Sequence, residues 1–321
     1  MGRRNDVGRR ALLALTAGAL GTQLSACARP GRAAGLHASL TISSGAPGGV
    51  YHAWAEALRH LAARRSRHLD LRVIPSAGSV QNVERLGRHD ADLALTTQDS
   101  AILAQTGSDP FDTAVRPAAL ARVHDDYLHL LVRANSPVRS LRDLAGRRIS
   151  VGPPRSGTAL VARRVLGRAR VTVRELLLDL GQSCDALRAG SLEGFFWSGG
   201  LPTPAVVELS QDLPLRAVAV DQVVEGLRAD HGGIYRPALL PVGAYGLREP
   251  VGTLVCPNLL VCSPDTAENT VMAILEMMFD GRDELASAVP AANALDLRAA
   301  ALTAPVGLHP GALQYYRSTK P

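Results

Sequence analysis

The sequence predicts an alternating α/β chain, and three features of it carry that prediction. Apolar runs of strand length recur between residues 40 and 262. Runs with apolar residues at helical spacing stand between several of them. Turns rich in glycine, serine and proline separate the two kinds of run. Strands that alternate with helices form parallel sheets, buried on both faces. At 321 residues the chain is long enough for two domains or one large one. Its 46% hydrophobic and 20% charged residues are those of an ordinary globular protein, which argues against wholesale disorder and against a multi-span membrane protein. Aromatic residues are only 4%, so the core has to be built from Leu, Val, Ile and Ala.

The first 26 residues have the order of a secretory signal. Arg3, Arg4, Arg9 and Arg10 against Asp6 make a positive start, a net +3 of the chain's formal +6. Residues 11–24 (ALLALTAGALGTQL) are uncharged and mostly apolar, and too short to span a bilayer as a helix. Leu24-Ser25-Ala26-Cys27 follows and resembles a bacterial lipobox, which implies cleavage before Cys27 and lipidation of its thiol. The alternative is an ordinary signal with a chance cysteine at the cleavage point. Arg9-Arg10 also resembles a twin-arginine signal but lacks that signal's usual Phe and Lys. The protein is therefore expected outside the cytoplasm, held by lipid to the outer face of the cell membrane.

A tether at 27–37 leads to a strand at 40–44 (LTISS) and a helix from Val50, with Val50, Trp54, Leu58 and Leu61 on one face. A strand follows near 69–75, then a helix from Ser79 with Val80, Val83 and Leu86 inward, and a short strand at 92–97. LHLLVRA (128–134) is a strongly apolar strand. A helix capped by Ser140, a strand at 147–152 and a helix from Ser156 to about Arg168 come next. Further strands are expected at 193–200, at 215–220 and at 253–262, the last broken by Pro257; the rest, from Pro264, is mostly helical. No repeat or low-complexity block interrupts this order.

Three turns join a strand to a helix through small residues: 43–51 (SSGAPGGVY), 76–82 (SAGSVQN) and 152–158 (GPPRSGT). A helix N-terminus leaves backbone N–H groups unpaired and carries about half a positive charge. Glycine admits close approach, and serine and threonine add hydroxyl donors. One such turn usually only caps its helix. Three of them point to one anionic ligand held at the strands' carboxyl ends, where open α/β sheets bind ligands. None is a phosphate loop of the GxxxxGK[ST] kind, because the lysine is missing.

These turns, with SLRDLAGRRISVGPPRSGTALVARRVL, DALRAGSLEGFFWSGGLPTPAV and VGLHPGALQYYR in fixed order, resemble the TAXI family, the TRAP-associated extracytoplasmic solute receptors. The likeness runs from about residue 38 to 317. It implies a two-lobed periplasmic-binding-protein fold of type II with a ligand cleft between the lobes. Lobe 1 is expected at 38–133 plus 251–321 and lobe 2 at 134–250, with strands 128–134 and 253–262 crossing between them. It implies a ligand site at Gly48, Gly49 and Tyr51, at Ser79 and Asn82, at Gln98, at Ser156, Gly157 and Thr158, and at Trp197, Gly199 and Gly200. The implied ligands are small carboxylates or amino acids resembling glutamate or 2-oxoglutarate, and the implied partner is a TRAP-type permease driven by an ion gradient. Arg155 stands where many members have glycine. Either it reaches the cleft and selects a doubly charged ligand, or it faces solvent.

The remaining residues are read more plainly. His124, Asp125, Asp126 and His129 (HDDYLH) are expected as a polar strand entrance rather than a metal site. Cys184, Cys256 and Cys262 are expected as free buried thiols: an odd count, with Cys256 and Cys262 about 20 Å apart if they share one strand. His309 is expected to be structural and Trp54 to be core. No GxSxG, HExxH or GxGxxG stands in the chain, so no enzyme and no cofactor is expected. The arginines are scattered without interleaved aromatics, which speaks against nucleic acid; a monomer is expected. Two other outputs stay open: a receptor that informs a membrane sensor kinase, and an enzyme on the same fold.

Overall fold

The computed structural model describes residues 38–319; the expected signal, Cys27 and the tether lie outside them. The chain begins with β1 (Ala38–Ser43), α1 (Val50–Arg65), β2 (Leu69–Ile74), α2 (Ser79–Gly87), β3 (Leu93–Thr97) and α3 (Gln98–Thr106). It continues through β4 (Ala118–Arg133), β5 (Arg148–Ser150), α4 (Gly157–Ala169), β6 (Arg174–Leu176), α5 (Leu180–Ala189), β7 (Gly194–Gly199) and α6 (Pro204–Asp212). It ends with β8 (Leu215–Ala217), α7 (Val224–Asp230), β9 (Arg236–Leu240), β10 (Val251–Cys262), α8 (Glu268–Asp280), α9 (Arg282–Ala288), α10 (Leu297–Ala300) and α11 (Pro310–Ser318).

The strands form one sheet in the order β2-β1-β3-β10-β4-β7-β5-β6, with β9 on β10 and β8 on β4. The expected parallel pairing holds on both flanks, β1 with β2 and β3, and β5 with β6 and β7. It fails at the centre, where β10 runs antiparallel to β3 and β4, and β4 antiparallel to β7. The reason is topological. The chain leaves the first half along β4 and returns along β10, so the two crossing strands must run in opposite directions.

β4 is far longer than expected. It spans 16 residues, about 50 Å at the usual rise. It contains the whole HDDYLH segment, which is therefore mid-strand and not a strand entrance. β10 is not broken by Pro257. Residues 251–255 pair with β9 and residues 258–262 with β3, so Pro257 sits where β10 changes neighbours on that edge. There its missing N–H costs least. A register shift against β4 follows directly, between Asn258 and Leu259.

Two smaller expectations also change. The segment after Ser140 is a single 3₁₀ turn (Leu141–Leu144), fixed by a capping box between Ser140 and Asp143. The strand expected at 215–220 ends at Ala217.

One apolar core lies under β1–β3 and collects Ile42, Trp54, Leu58 and Leu61 with Ile274, Leu275, Tyr315 and Tyr316 from the C-terminal helices. Two others lie on the opposite half: Leu130, Ile149, Val165 and Phe196 in one, and Leu187, Phe195, Val206 and Leu209 in the other. The C-terminal segment is thus pinned to the first half. The Tyr316 hydroxyl donates to the Leu120 carbonyl at 3.0 Å. His309 caps α11 by accepting from the Gly311 N–H at 3.1 Å, a structural role as expected. Cys184, Cys256 and Cys262 are buried and free. No helix among the described residues is long and apolar enough to cross a membrane.

Candidate functional site

All three small-residue turns line one cavity. Gly45, Ala46 and Gly49 come from the turn before α1, Ala77, Gly78 and Ser79 from the turn before α2, and Pro153, Ser156, Gly157 and Thr158 from the turn before α4. Asp179 and Leu180 at the start of α5, Trp197–Gly199 at the end of β7, and Asp126 of β4 complete it. The cavity therefore lies at the carboxyl ends of the parallel strands, between the two halves that β4 and β10 join. It measures about 40 Å³, space for about three waters at roughly 10–15 Å³ each. The halves stand close together around it.

Backbone geometry at two glycines permits that approach. Gly78 has φ +130° and ψ −153°, a region open in practice to glycine alone. It starts α2 with no side-chain cap, and α1 likewise starts uncapped at Gly49. The first-turn amides of both helices thus have no side chain competing for them. At Gly157, a Cβ would fall 2.8 Å from the Ser79 Oγ. The N-termini of α2 and α4 meet there from opposite halves, and the Gln81 N–H donates to the Arg155 carbonyl at 3.0 Å across the gap.

Hydroxyl groups supply further donors. The Tyr51 hydroxyl lies 3.2 Å from the Ser79 Oγ and donates to the Asn258 Oδ1. Burial and the nearby Asp126 carboxylate push its pKa well above the ordinary phenol range, so it stays protonated. Thr158 Oγ1 accepts from the Ser198 N–H at 3.1 Å. The Trp197 indole is held by its Nε1–H on Thr203 Oγ1 at 3.0 Å, with its ring against Gly49.

Of the residues expected at the site, the structure brings Gly49, Tyr51, Ser79, Ser156, Gly157, Thr158, Trp197 and Gly199 to the cavity. It does not bring Gly48, Asn82, Gln98, Arg155 or Gly200. Gly48 is exposed beside Ala205. Asn82 lies one layer behind, where Oδ1 accepts from Ser43 Oγ at 2.7 Å and Ser76 Oγ at 2.6 Å, and Nδ2 donates to the Leu95 carbonyl; it fixes the second turn. Gln98 turns away to the C-terminal segment and donates to the carbonyls of Thr303 and Ala304. Gly200 packs against Val50, and its carbonyl accepts from Thr203 Oγ1.

Arg155 follows neither expectation cleanly. Its Nε donates to the Glu84 Oε2 of α2 at 2.7 Å, with Asp112 3.6 Å from Nη2. It faces a separate surface hollow with Pro110 and Arg163. The guanidinium thus ties the two halves together at the rim, and the selection of a doubly charged ligand loses its cation. A second tie is better buried. Asp99 of α3 accepts from Tyr235 Oη at 2.5 Å and from Arg164 Nη1 of α4 at 3.2 Å.

The sequence reading missed Asp126, Asp179 and Ser198 at the cavity. The legible signal for Asp179 was its capping box with Gln182, which starts α5. Asp126 is 3% exposed and lines the cavity from the middle of β4, not from a strand entrance. Asp125 beside it is partly exposed and pairs with Arg122 and Arg236. Among the described residues no group of three or more His, Cys, Asp or Glu is placed to hold a metal ion.

The architecture is the two-lobed periplasmic-binding-protein fold. It is similar to the structure of a putative L-cystine ABC transporter from Listeria monocytogenes (TM-score 0.53, 12% identity, 79% of this chain and 97% of that one). It is also similar to an ancestral arginine-binding protein bound to arginine (TM-score 0.51, 12% identity, 79% of this chain and 99% of that one). The chain matches the NMT1-like family over residues 42–319 and belongs to it.

Proposed function

We propose that this chain is an extracytoplasmic solute receptor that captures a small carboxylate-bearing solute between its lobes and hands it to a membrane transporter. One observation carries the reading: three uncharged, donor-rich turns drawn from both halves line a single cavity. Backbone amides and hydroxyls satisfy a carboxylate with charge-assisted hydrogen bonds, the stronger kind. The likeness to an arginine-binding protein bound to arginine and to a putative L-cystine ABC transporter supports a receptor.

In the finer reading the lobes divide at 38–133 plus 251–321 and 134–250, and hinge closure about β4 and β10 traps the solute. The resemblance to the TAXI family supports a TRAP-type permease as the partner and a solute in the size class of glutamate or 2-oxoglutarate. Leu24-Ser25-Ala26-Cys27 supports export and a lipid anchor at Cys27. A thermal-shift screen of the purified chain against small carboxylates tests the reading. A ligand at 100 times its Kd adds about 2.7 kcal/mol of stability; a chain that no carboxylate stabilises is not this receptor.

A further inference from the structure

We propose that Asp126 is the subsite for a ligand ammonium group, so that the solute is a zwitterion of the amino-acid class rather than a dicarboxylate or an oxo acid. This rests on the carboxylate-receptor reading above and narrows it.

The charges around the cavity argue for it. Its lining contains two carboxylates, Asp126 and Asp179, and no Arg, Lys or His. The Asp179 carboxylate is committed to α5, where Oδ1 accepts from the Gln182 N–H at 2.8 Å. Asp126 is different. It sits in the middle of β4, 3% exposed, and its side chain has two long contacts: Ser198 Oγ at 3.3 Å on Oδ2 and His124 Nε2 at 3.2 Å on Oδ1. His124 Nδ1 is buried without a partner, and the ring meets Asp126 through Nε2 alone. The guanidinium groups of Arg122 and Arg236 are spent on Asp125, at 2.7 and 2.5 Å. Asp126 thus meets a hydroxyl and an imidazole but, among the described residues, no guanidinium or ammonium group, and a cation delivered by the ligand offsets the cost of burying its carboxylate.

The geometry completes the argument. The amide-bearing turns lie on the faces of the cavity formed by helix N-termini, while Asp126 comes from the crossing strand. One cavity thus offers donors for a carboxylate and an acceptor for an ammonium. A dicarboxylate placed here would set a second negative charge beside Asp126 with no cation to receive it.

Isothermal titration of the wild-type chain with L-amino acids, each against the acid that lacks only the amino group, decides the matter; alanine with propionate and glutamate with glutarate are two such pairs. The tightest amino acid is expected to bind about 100-fold tighter than its partner, the size of a hydrogen bond between charged groups. Asp126→Asn should narrow that gap to within about fivefold. Equal affinities within the pairs overturn the ammonium subsite and leave the carboxylate receptor standing. An unchanged gap in Asp126→Asn moves the ammonium elsewhere and overturns the assignment. If neither set binds, the receptor reading falls, and the subsite falls with it.

Discussion

At Gly157 a single methyl group decides how closely α2 and α4 can meet. Its Cβ would press on Ser79 Oγ, which is itself held by the Thr97 N–H at 3.1 Å. Overpacking of this kind costs about 1–3 kcal/mol, so Gly157→Ala should weaken ligand binding about tenfold or more by titration calorimetry. His129 gives a pH signature. It is fully buried, bonded through Nδ1 to the Trp197 carbonyl side and through Nε2 to the Tyr245 hydroxyl, and burial pushes its pKa down to about 4. The unfolded chain takes up a proton near the ordinary value of about 6.5 while the folded one does not. Stability therefore falls as the pH drops from about 6.5 to 4, by about 3 kcal/mol at most. His129→Asn should remove that part of the slope in denaturant melts taken across this range.

Helices and strands show where sequence patterns suffice. The face of α1 (Val50, Trp54, Leu58, Leu61) is buried as its spacing predicts, because helical periodicity is local. Leu58→Ala should cost about 2–5 kcal/mol in a denaturant melt, the usual range for a buried leucine. The three turns were equally legible, since only small residues fit strand ends packed against helix starts. Asp126 was not, because its neighbours across the sheet, Cys256 of β10 and Ser198 of β7, are remote in sequence. Nor was the inward turn of Asn82 onto Ser43 and Leu95. Parallel pairing was inferred from alternation alone, which says nothing of a strand that carries the chain back. The short β5, β6 and β8, of three residues each, gave no period to read.

Among the described residues, Glu84–Arg155 at the rim and the buried Asp99–Arg164–Tyr235 group tie the two halves of the sheet together. Removing one partner of a buried pair costs about 3–5 kcal/mol. Under the proposed lobe division these partners stand on opposite lobes, so the cost falls on the closed form alone. Asp99→Asn should thus weaken ligand affinity at least tenfold and leave a more extended particle in small-angle X-ray scattering, with its melting transition still cooperative. All of this depends on the place where the solute sits. A crystal structure of the chain grown with its tightest-binding small carboxylate measures that directly. The account predicts carboxylate oxygens within hydrogen-bonding distance of the first-turn amides that begin α1, α2 and α4. A solute seated instead in the hollow lined by Arg122, Asp125 and Asn293 on the other side of β4, with those amides untouched, would contradict it.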